Sequence, residues 1–418
     1  MSAPKFRVAI CGGGIGGLCL AVALSKYAHI QVDVYEGAGR FREIGAGVMI
    51  WARTWRILEL LGLAEQFAKV TDVEPTPDVG FEYRRSDIPT GFKWNFVAMP
   101  YGCIRFHRAH FLDVFVDNLP EGVAHFGKRL VSYEKGVGEI RLTFADGTSA
   151  ACDLLVGCDG IKSVVRAQML RAKAAEEVRP DLLALIEPKW TGTIAYRGLI
   201  PAKDLPSADG TRHRTLGTPM MYCGQNKHIV AYTISAGKIV NFVAFASELD
   251  KEGRDYGGEW VTDCTQDEVL QRVDKPTKWA IHHLAELPFY VADRVVLLGD
   301  AADIFSQIKK KLLKTHLGSG AGQAIEDAFI LASVLGATGT NNLDEALEAY
   351  QRTRLPVANH VLRSSFESGK MFEFNSSFAE EYSTLGPAIG RQWGFLTEST
   401  PEGEAEKALG ILRTLASG

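Results

Sequence analysis

The chain has 418 residues, 46% hydrophobic and 23% charged, which is enough apolar sequence for about two to three folded domains and argues against disorder. The net charge of −4 gives no reason to expect nucleic acid or a membrane surface as a partner. The seven cysteines form no C-x-x-C pair, so we expect neither a disulfide framework nor a metal site. No apolar run reaches about 18 residues, so we expect neither a signal peptide nor a transmembrane helix. Together these features predict a protein of the reducing cytoplasm.

The first predicted elements are a short apolar strand at residues 6–11 and a helix-forming run at 18–28. Between them, Gly12, Gly14 and Gly17 have the G-x-G-x-x-G spacing. Gly12 permits a tight turn, Gly14 lets a pyrophosphate approach the backbone, and Gly17 lets the helix pack closely on the strand. The helix N-terminus offers N–H groups and a positive dipole to the phosphates.

A second strand, at residues 31–35, ends at Glu36, where an acid is needed to accept hydrogen bonds from a ribose hydroxyl. A glycine triplet alone is a weak signal. Strand, glycines, helix, strand and terminal acid in one contiguous stretch are a much stronger one and predict a dinucleotide site. Glu36 favours a free 2′-hydroxyl over a 2′-phosphate, and therefore FAD or NAD rather than NADP.

Two later strands also end in glycine turns. "ACDLLVGCDGIKSVVR" (151–166) runs into Asp159-Gly160, and "DRVVLLGDAAD" (293–303) runs into Gly299-Asp300. A glycine-rich turn at 318–322 then opens a helix. No second strand-led G-x-G-x-x-G is present, which argues against a separate NAD(P)H-binding domain.

With "REIGAGVMI" (42–50), "RFHRAHFLDVF" (105–115) and "TGTIAYRGLIP" (191–201), this order of motifs resembles the group A FAD-dependent aromatic hydroxylases of fungal type. These are single-component monooxygenases related to salicylate and 4-hydroxybenzoate hydroxylases. The resemblance covers roughly residues 6–365. It implies an α/β fold with a discontinuous Rossmann-like FAD-binding domain, an antiparallel-sheet substrate domain and a helical C-terminus.

The domain organisation follows from prolines and β-like runs along the chain. A proline-punctuated aromatic excursion and a longer excursion of short β-like runs separate the pieces of the dinucleotide domain. We predict an FAD-binding domain at 1–75, 100–180 and 280–360, a substrate-binding β-sheet domain at 76–99 and 181–279, and a C-terminal helical region at 361–418. "STPEGEAEK" is expected to be a loop before a last helix.

The resemblance also assigns roles at the cofactor. Asp159-Gly160 would support both FAD and a transiently docked nicotinamide of NAD(P)H, and Asp300 would bind the FAD ribityl chain. Arg108 would reach the flavin, and the 45–47 stretch would face the isoalloxazine ring. The predicted cofactor-binding residues are Gly12, Gly14, Gly17, Glu36, Ala46, Gly47, Arg108, Asp159, Asp300, Gly320 and Ala321.

The implied reaction uses NAD(P)H and O2 to hydroxylate a phenolic or benzoic acid through a C4a-hydroperoxyflavin, in a monomer or homodimer. Such chemistry needs no protein nucleophile: the protein holds the aromatic substrate, favours its phenolate and excludes water. Three alternatives stay open at this point. They are loss of CO2 from the ring, as with salicylate, hydroxylation of a larger phenolic natural product without decarboxylation, and a non-catalytic FAD-binding remnant.

The predicted catalytic residues are Arg197, Tyr222 and His228. An aromatic carboxylate is best bound by arginine, and a phenol needs a histidine or tyrosine to take its proton. By the resemblance, Arg197 lies on a strand of the substrate-binding sheet, which is expected to cover the flavin, and points to the active site. Tyr222, His228 and Tyr232 share parity, so regular strands would place them on one face. The sequence does not choose the base among them.

One departure from the family lies directly after Gly299-Asp300. Asp303 stands where the family usually has histidine. The stretch before Thr315-His316, which includes Lys309 to Lys311, is about eight residues longer than in the family. Closing a loop longer by this amount has a modest entropic cost. The insert is interpreted either as a solvated loop, as a change in substrate access or cofactor affinity, or as damage to FAD binding.

Overall fold

The computed structural model describes residues 6–41, 47–71, 80–98, 103–205, 211–235, 237–265, 274–302 and 319–417. The 303–318 insert and Ala46 therefore lie outside the described residues. The helices are α1 (Ile15–Leu24), α2 (Ala52–Leu60), α3 (Ala64–Val70), α4 (Arg108–Asp117), α5 (Val164–Glu176), α6 (Gly320–Gly336), α7 (Leu343–Phe372), α8 (Tyr382–Arg391) and α9 (Pro401–Ala416).

The strands of the first half of the chain are β1 (Phe6–Cys11), β2 (Ile30–Glu36), β3 (Gly47–Ile50), β4 (Phe81–Arg85), β5 (Lys93–Val97), β6 (Ile104–His107), β7 (Ala124–Phe126), β8 (Leu130–Lys135), β9 (Ile140–Phe144), β10 (Ser149–Cys152) and β11 (Leu154–Gly157). Those of the second half are β12 (Lys189–Pro201), β13 (Met220–Gly224), β14 (Lys227–Ile234), β15 (Ile239–Ser247), β16 (Val261–Asp263), β17 (Asp274–His283), β18 (Val291–Ala292) and β19 (Val295–Leu297).

A parallel sheet forms the first half of the fold, in the order β18-β19-β11-β1-β2-β7. Only the edge pair β18–β19 is antiparallel. β1 and β11 are almost continuous apolar runs and are buried almost throughout, as strands covered on both faces must be. Without that edge strand, the order is the third, second, first, fourth and fifth strand of the chain, the doubly wound arrangement. The predicted fold class is confirmed.

The second half is an eight-stranded sheet, in the order β16-β17-β12-β15-β14-β13-β4-β5. All its neighbours are antiparallel except β13 and β4. We call the face that carries Arg197, Tyr232, Asn241 and Phe245 the inner face. The opposite, outer face carries a small apolar cluster around Phe242 that Leu205 and Leu216 cover. The antiparallel sheet predicted for the substrate domain is therefore present in the described residues.

The C-terminal helices differ from prediction at two points. Helix α7 is continuous for 30 residues through Pro356, so the predicted domain boundary at 360 falls inside it. "PEGEAEK" is the start of α9 and not a loop. Proline lacks an N–H and fits a first helical turn, and the Thr400 hydroxyl accepts a hydrogen bond from Gly403 N at 3.1 Å. No helix among the described residues is long and apolar enough to cross a membrane.

His282 makes the stability of the large sheet depend on pH. Its ring stacks on Trp260 with centroids 3.4 Å apart, and Nδ1 lies 2.9 Å from the Ala280 carbonyl oxygen. Burial lowers the pKa of His282 to about 4. Below the ordinary pKa of about 6.5, the unfolded chain binds a proton that the folded chain does not, so the free energy of unfolding falls as the pH drops toward 4.

We therefore expect His282→Gln to remove part of the loss of stability between pH 6.5 and pH 4. Urea unfolding of both proteins across this window gives the difference in the free energy of unfolding at each pH. His360→Gln, at an exposed position, is the matched control. A wild-type-minus-variant difference that does not change with pH would contradict the assignment.

Candidate active site

The register of the parallel sheet brings three predicted turns to one edge. Cys11 lies opposite both Tyr35 and Gly157, and Gly157 lies opposite Leu297. The turns that follow β1, β11 and β19 therefore leave the sheet at the same level. This carboxyl edge, beside the strand where the order reverses, is where doubly wound sheets bind ligands.

The glycines of the first turn are required for different reasons. Gly12 has φ of +115°, and a Cβ there would lie 2.1 Å from the Cys158 carbonyl oxygen. A Cβ on Gly17 would lie 2.1 Å from the Gly12 oxygen. A Cβ on Gly14, by contrast, would meet nothing within 4 Å. Gly14 caps α1 without any side-chain hydrogen bond, so this N-terminus offers its N–H groups and open space to a phosphate.

Glu36 is held next to this turn at the end of β2. Its Oε2 accepts a hydrogen bond from Gly13 N at 2.9 Å, and its Oε1 accepts one from Ala38 N at 2.7 Å. Each carboxylate oxygen has a second lone pair that a ribose hydroxyl could use. The position suits the predicted ribose contact.

Asp159 has a different local role from the one its motif suggests. Its carboxylate accepts hydrogen bonds from the Ser163 hydroxyl, from Val164 N at 2.7 Å and from Val165 N at 3.2 Å, and so caps α5. Burial raises the pKa of Asp159, while the Ser163 hydroxyl and these amides act in the opposite direction. Gly160 follows with φ of +79°. Asp159 thus shapes the turn that Gly160 completes.

Asp300, Gly320 and Ala321 belong to elements at the same edge. Gly299 has φ of +56° and begins a single 3-10 turn that includes the half-buried Asp300. Gly320 and Ala321 are buried in the first turn of α6, whose residue Ala324 packs on Gly299. Of the predicted glycine turn at 318–322, residue 318 lies outside the described residues, and Gly320 to Gly322 are the first residues of α6.

The large sheet contacts β3 at Gly47, and β3 itself packs on α6. Gly47 N donates a hydrogen bond to Asn241 Oδ1 at 3.3 Å, and a Cβ on Gly47 would lie 3.0 Å from the Tyr232 hydroxyl. Tyr232 and Asn241 are cross-strand partners on β14 and β15. Asn241 was not among the predicted residues, although a polar amide inside the apolar run "IVNFVAF" is the kind of signal that could have indicated it.

Arg197 lies on the same inner face. Leu199 pairs with Asn241, so Arg197, two residues earlier on β12, shares its face. The Arg197 side chain is buried, and its guanidinium carbon lies 5.6 Å from the centre of the Trp279 ring. Arg108, the first residue of α4, is also buried.

These groups influence one another electrostatically. Burial lowers the pKa of Arg197 to about 10; Tyr232 opposes this shift and the charge of Arg108 adds to it. Arg197 therefore remains cationic at neutral pH. Burial raises the pKa of Tyr232 to about 12, partly offset by Arg197, so the hydroxyl is a neutral hydrogen-bond donor at neutral pH. Two buried arginines that influence each other, with Tyr232 near Arg197, favour an anionic ligand.

The grouping of Tyr222 with His228 is wrong. The hairpin pairs Tyr222 with Ile229 and Cys223 with His228, so equal parity on the two strands means opposite faces. Tyr222 lies on the outer face, where its hydroxyl is 2.9 Å from Thr215 Oγ1. Tyr222 therefore does not face Arg197, and the structure gives it no place at the site.

His228 does lie on the inner face, with Tyr232, but four residues away along β14, about 13 Å. Its Nδ1 is 2.8 Å from Glu373 Oε1, and its ring stacks on Phe245 with centroids 4.3 Å apart. These contacts join the sheet to the end of α7. The structure therefore does not bring His228 next to Gly47, where Tyr232 lies.

Comparison with known proteins adds three findings. The family described as FAD binding domain matches residues 5–365. The chain is 39% identical over 390 residues to a salicylate hydroxylase from Pseudomonas putida, covering 88% of this chain and 86% of that protein. It is 33% identical over 399 residues to a 6-methylsalicylate 1-monooxygenase from Aspergillus terreus, covering 90% and 85%.

A solved structure is similar over nearly the whole chain. A salicylate hydroxylase in a substrate complex superposes with a TM-score of 0.83 at 31% identity, and the match covers 97% of this chain and 98% of that one. The likeness extends over both sheets and the C-terminal helices. The described site therefore belongs to a fold that holds a substrate in that relative.

Glu36→Ala should weaken FAD binding by about 1.5–3 kcal/mol, because a charged acceptor at the end of β2 is lost. Titration of the apoprotein with FAD measures the change. Asp33→Ala is the matched control, since Asp33 is on the same strand but pairs with His125 at 2.7 Å. An unchanged dissociation constant in Glu36→Ala would refute the ribose assignment.

Proposed function

Because the chain belongs to the FAD binding domain family and is an FAD-dependent aromatic monooxygenase of the salicylate hydroxylase type, we propose that it hydroxylates a phenolic or benzoic acid with NAD(P)H and O2. The observation that carries this proposal is Arg197, a buried cation on the inner face of the large sheet, the face whose Asn241 binds Gly47 N. The names of the two relatives, a salicylate hydroxylase and a 6-methylsalicylate monooxygenase, support a substrate with adjacent carboxylate and hydroxyl groups.

The described residues fit FAD. The turn at Gly12, Gly14 and Gly17 leaves open space at the start of α1, which suits a pyrophosphate, and Glu36 suits the adenosine ribose. The flavin half would be held by Gly47 and the preceding Ala46, and by Arg108, Asp300, Gly320 and Ala321. When bound, FAD supplies the redox chemistry and the activation of oxygen.

Arg197 would bind the substrate carboxylate. A charge-assisted pair with guanidinium is strong where water is excluded, and Arg197 is 7% exposed. Tyr232 is protonated at neutral pH, so its hydroxyl donates a hydrogen bond to an anionic oxygen and does not act as the base. The two groups would fix the orientation of the ring beneath Gly47.

The positive charges also favour the phenolate. Arg197 and Arg108 stabilise the ionised form of a nearby phenol, which lowers its pKa and makes the ring more electron-rich. The phenol can lose its proton to bulk water as the substrate enters the site, so no dedicated histidine is required. This account assigns no catalytic proton transfer to Tyr222 or His228.

With salicylate as substrate, hydroxylation occurs at the carbon that carries the carboxylate. Salicylate anion, O2, NAD(P)H and two protons give catechol, CO2, NAD(P)⁺ and water. The ring regains aromaticity by losing CO2, so one oxygen atom enters the product and the other becomes water. We infer a cytoplasmic setting, which the free thiols of all seven cysteines support.

Arg197→Met should weaken salicylate binding by about 1.5–3 kcal/mol and leave neutral phenols unaffected, because only the carboxylate loses its partner. Stopped-flow reduction of the bound flavin by NAD(P)H, with a panel of phenolic acids and the matching phenols, measures this. Arg84→Met is the matched control, since Arg84 is in the same sheet but on the outer face, paired with Glu82 at 3.1 Å.

Two results would contradict the proposal. In one, neutral phenols accelerate NAD(P)H oxidation by the wild type and no acid does, which would remove the carboxylate role. In the other, the purified protein is colourless and lacks the absorption bands of bound flavin at about 375 and 450 nm, which would favour a non-catalytic remnant.

A further inference from the structure

A cluster of buried charges lies behind the edge where the turns converge. It consists of two arginines and three carboxylates from four helices, and we call it the ionic cluster: Arg53, Glu326, Asp327, Arg354 and Glu404. Arg354 and Asp327 are completely buried. Burying so many charges is costly unless each is paired, and each member of the ionic cluster has an oppositely charged partner.

Arg354 is the centre of the ionic cluster. Its Nε donates to Asp327 Oδ1 at 2.7 Å, its Nη1 lies 3.2 Å from both Glu326 and Glu404, and its Nη2 donates to Gln323 Oε1 at 2.8 Å. Burial alone would lower the pKa of Arg354, but the charges of Asp327, Glu326 and Glu404 outweigh burial and raise it. Arg354 therefore fixes the orientation of the Asp327 carboxylate.

Asp327 connects the ionic cluster to the nucleotide edge. Its second oxygen, Oδ2, accepts a hydrogen bond from Gly299 N at 3.1 Å. Gly299 directly precedes Asp300 and starts the turn after β19 with φ of +56°. The end of that turn is held separately, since Arg166 Nη1 donates to the Ala301 carbonyl at 3.1 Å.

The position of this turn leaves little freedom. A Cβ on Gly299 would lie 3.0 Å from the Cβ of Ala324, so α6 already touches the turn on one side. The Asp327 carboxylate, one helical turn further along α6, holds the amide of the same residue. Together these contacts determine the direction in which the Asp300 side chain leaves the sheet.

We propose that Asp327 is a positioning residue for the flavin: oriented by Arg354, its carboxylate fixes the Gly299 amide and thereby sets Asp300 for the cofactor. This inference rests on FAD binding at the edge described above. Asp327 itself touches neither the cofactor nor the substrate in this assignment. It acts through the backbone of the turn.

Asp327→Asn is the sharpest test. An amide has one acceptor oxygen, which the Arg354 cation would take, so the NH2 group would face the Gly299 N–H and two donors would meet. The FAD dissociation constant of the apoprotein should rise by about tenfold or more. Binding of ADP, which would reach only the Gly12 turn and Glu36, should change by less than about twofold.

Two further variants separate positioning from general stability. Glu404→Gln removes a buried charge from the same ionic cluster without touching Gly299; it should lower the melting temperature of the apoprotein but leave the FAD dissociation constant unchanged. Arg354→Lys keeps the charge but loses the Nε contact, and should weaken FAD binding to an intermediate extent. Arg354→Lys carries the test if Asp327→Asn does not fold.

The proposal is overturned if Asp327→Asn binds FAD like the wild type, or if ADP binding falls in parallel. It is also overturned if Glu404→Gln loses FAD to the same extent for the same drop in melting temperature, since the ionic cluster would then be merely structural. Failure of the wild type itself to bind FAD would instead refute the cofactor assignment on which this inference rests.

Discussion

The in-register pairing of β11 with its two parallel neighbours, β1 and β19, is the constraint on which the rest of the site depends. Because Cys11, Gly157 and Leu297 lie side by side, the turns that follow the three strands leave the sheet at the same height. Two of these turns are in direct contact, since a side chain on Gly12 would overlap the Cys158 carbonyl. A shift of one residue in either pairing would separate the turns and leave no common edge for a dinucleotide.

The part of the site built from neighbouring residues could be predicted from the sequence. The strand, the glycine turn, the helix and Glu36 are contiguous, and each has a local reason for its residue types. The fold class was predicted through the family resemblance, which rests on the order of these apolar runs and glycine turns. Arg197 could be predicted because the chain resembles a known family, and the structure places it on the inner face of the large sheet.

The rest depends on contacts that periodicity does not encode. Parity along one strand says nothing about the face of the next strand until the hairpin register is known, which is why Tyr222 was placed wrongly. The hydrogen bond between Gly47 and Asn241 joins residues far apart in sequence. Asp327 and Arg354 look like ordinary surface charges of two helices, and only their packing shows that both are buried.

Helix α7 makes the two halves of the protein inseparable as modules. Arg354, in its first half, belongs to the ionic cluster behind the nucleotide edge, and Glu373, at its end, pairs with His228 of the large sheet. The two positions are about 28 Å apart along one rigid helix. Recombination that exchanged the sheet between relatives without the end of this helix would leave a buried polar group without its hydrogen-bond partner, at a cost of about 1–3 kcal/mol. New substrate specificities in this architecture are therefore expected to arise by substitution within the sheet and by inheritance of sheet and helix together, and not by swapping the sheet alone.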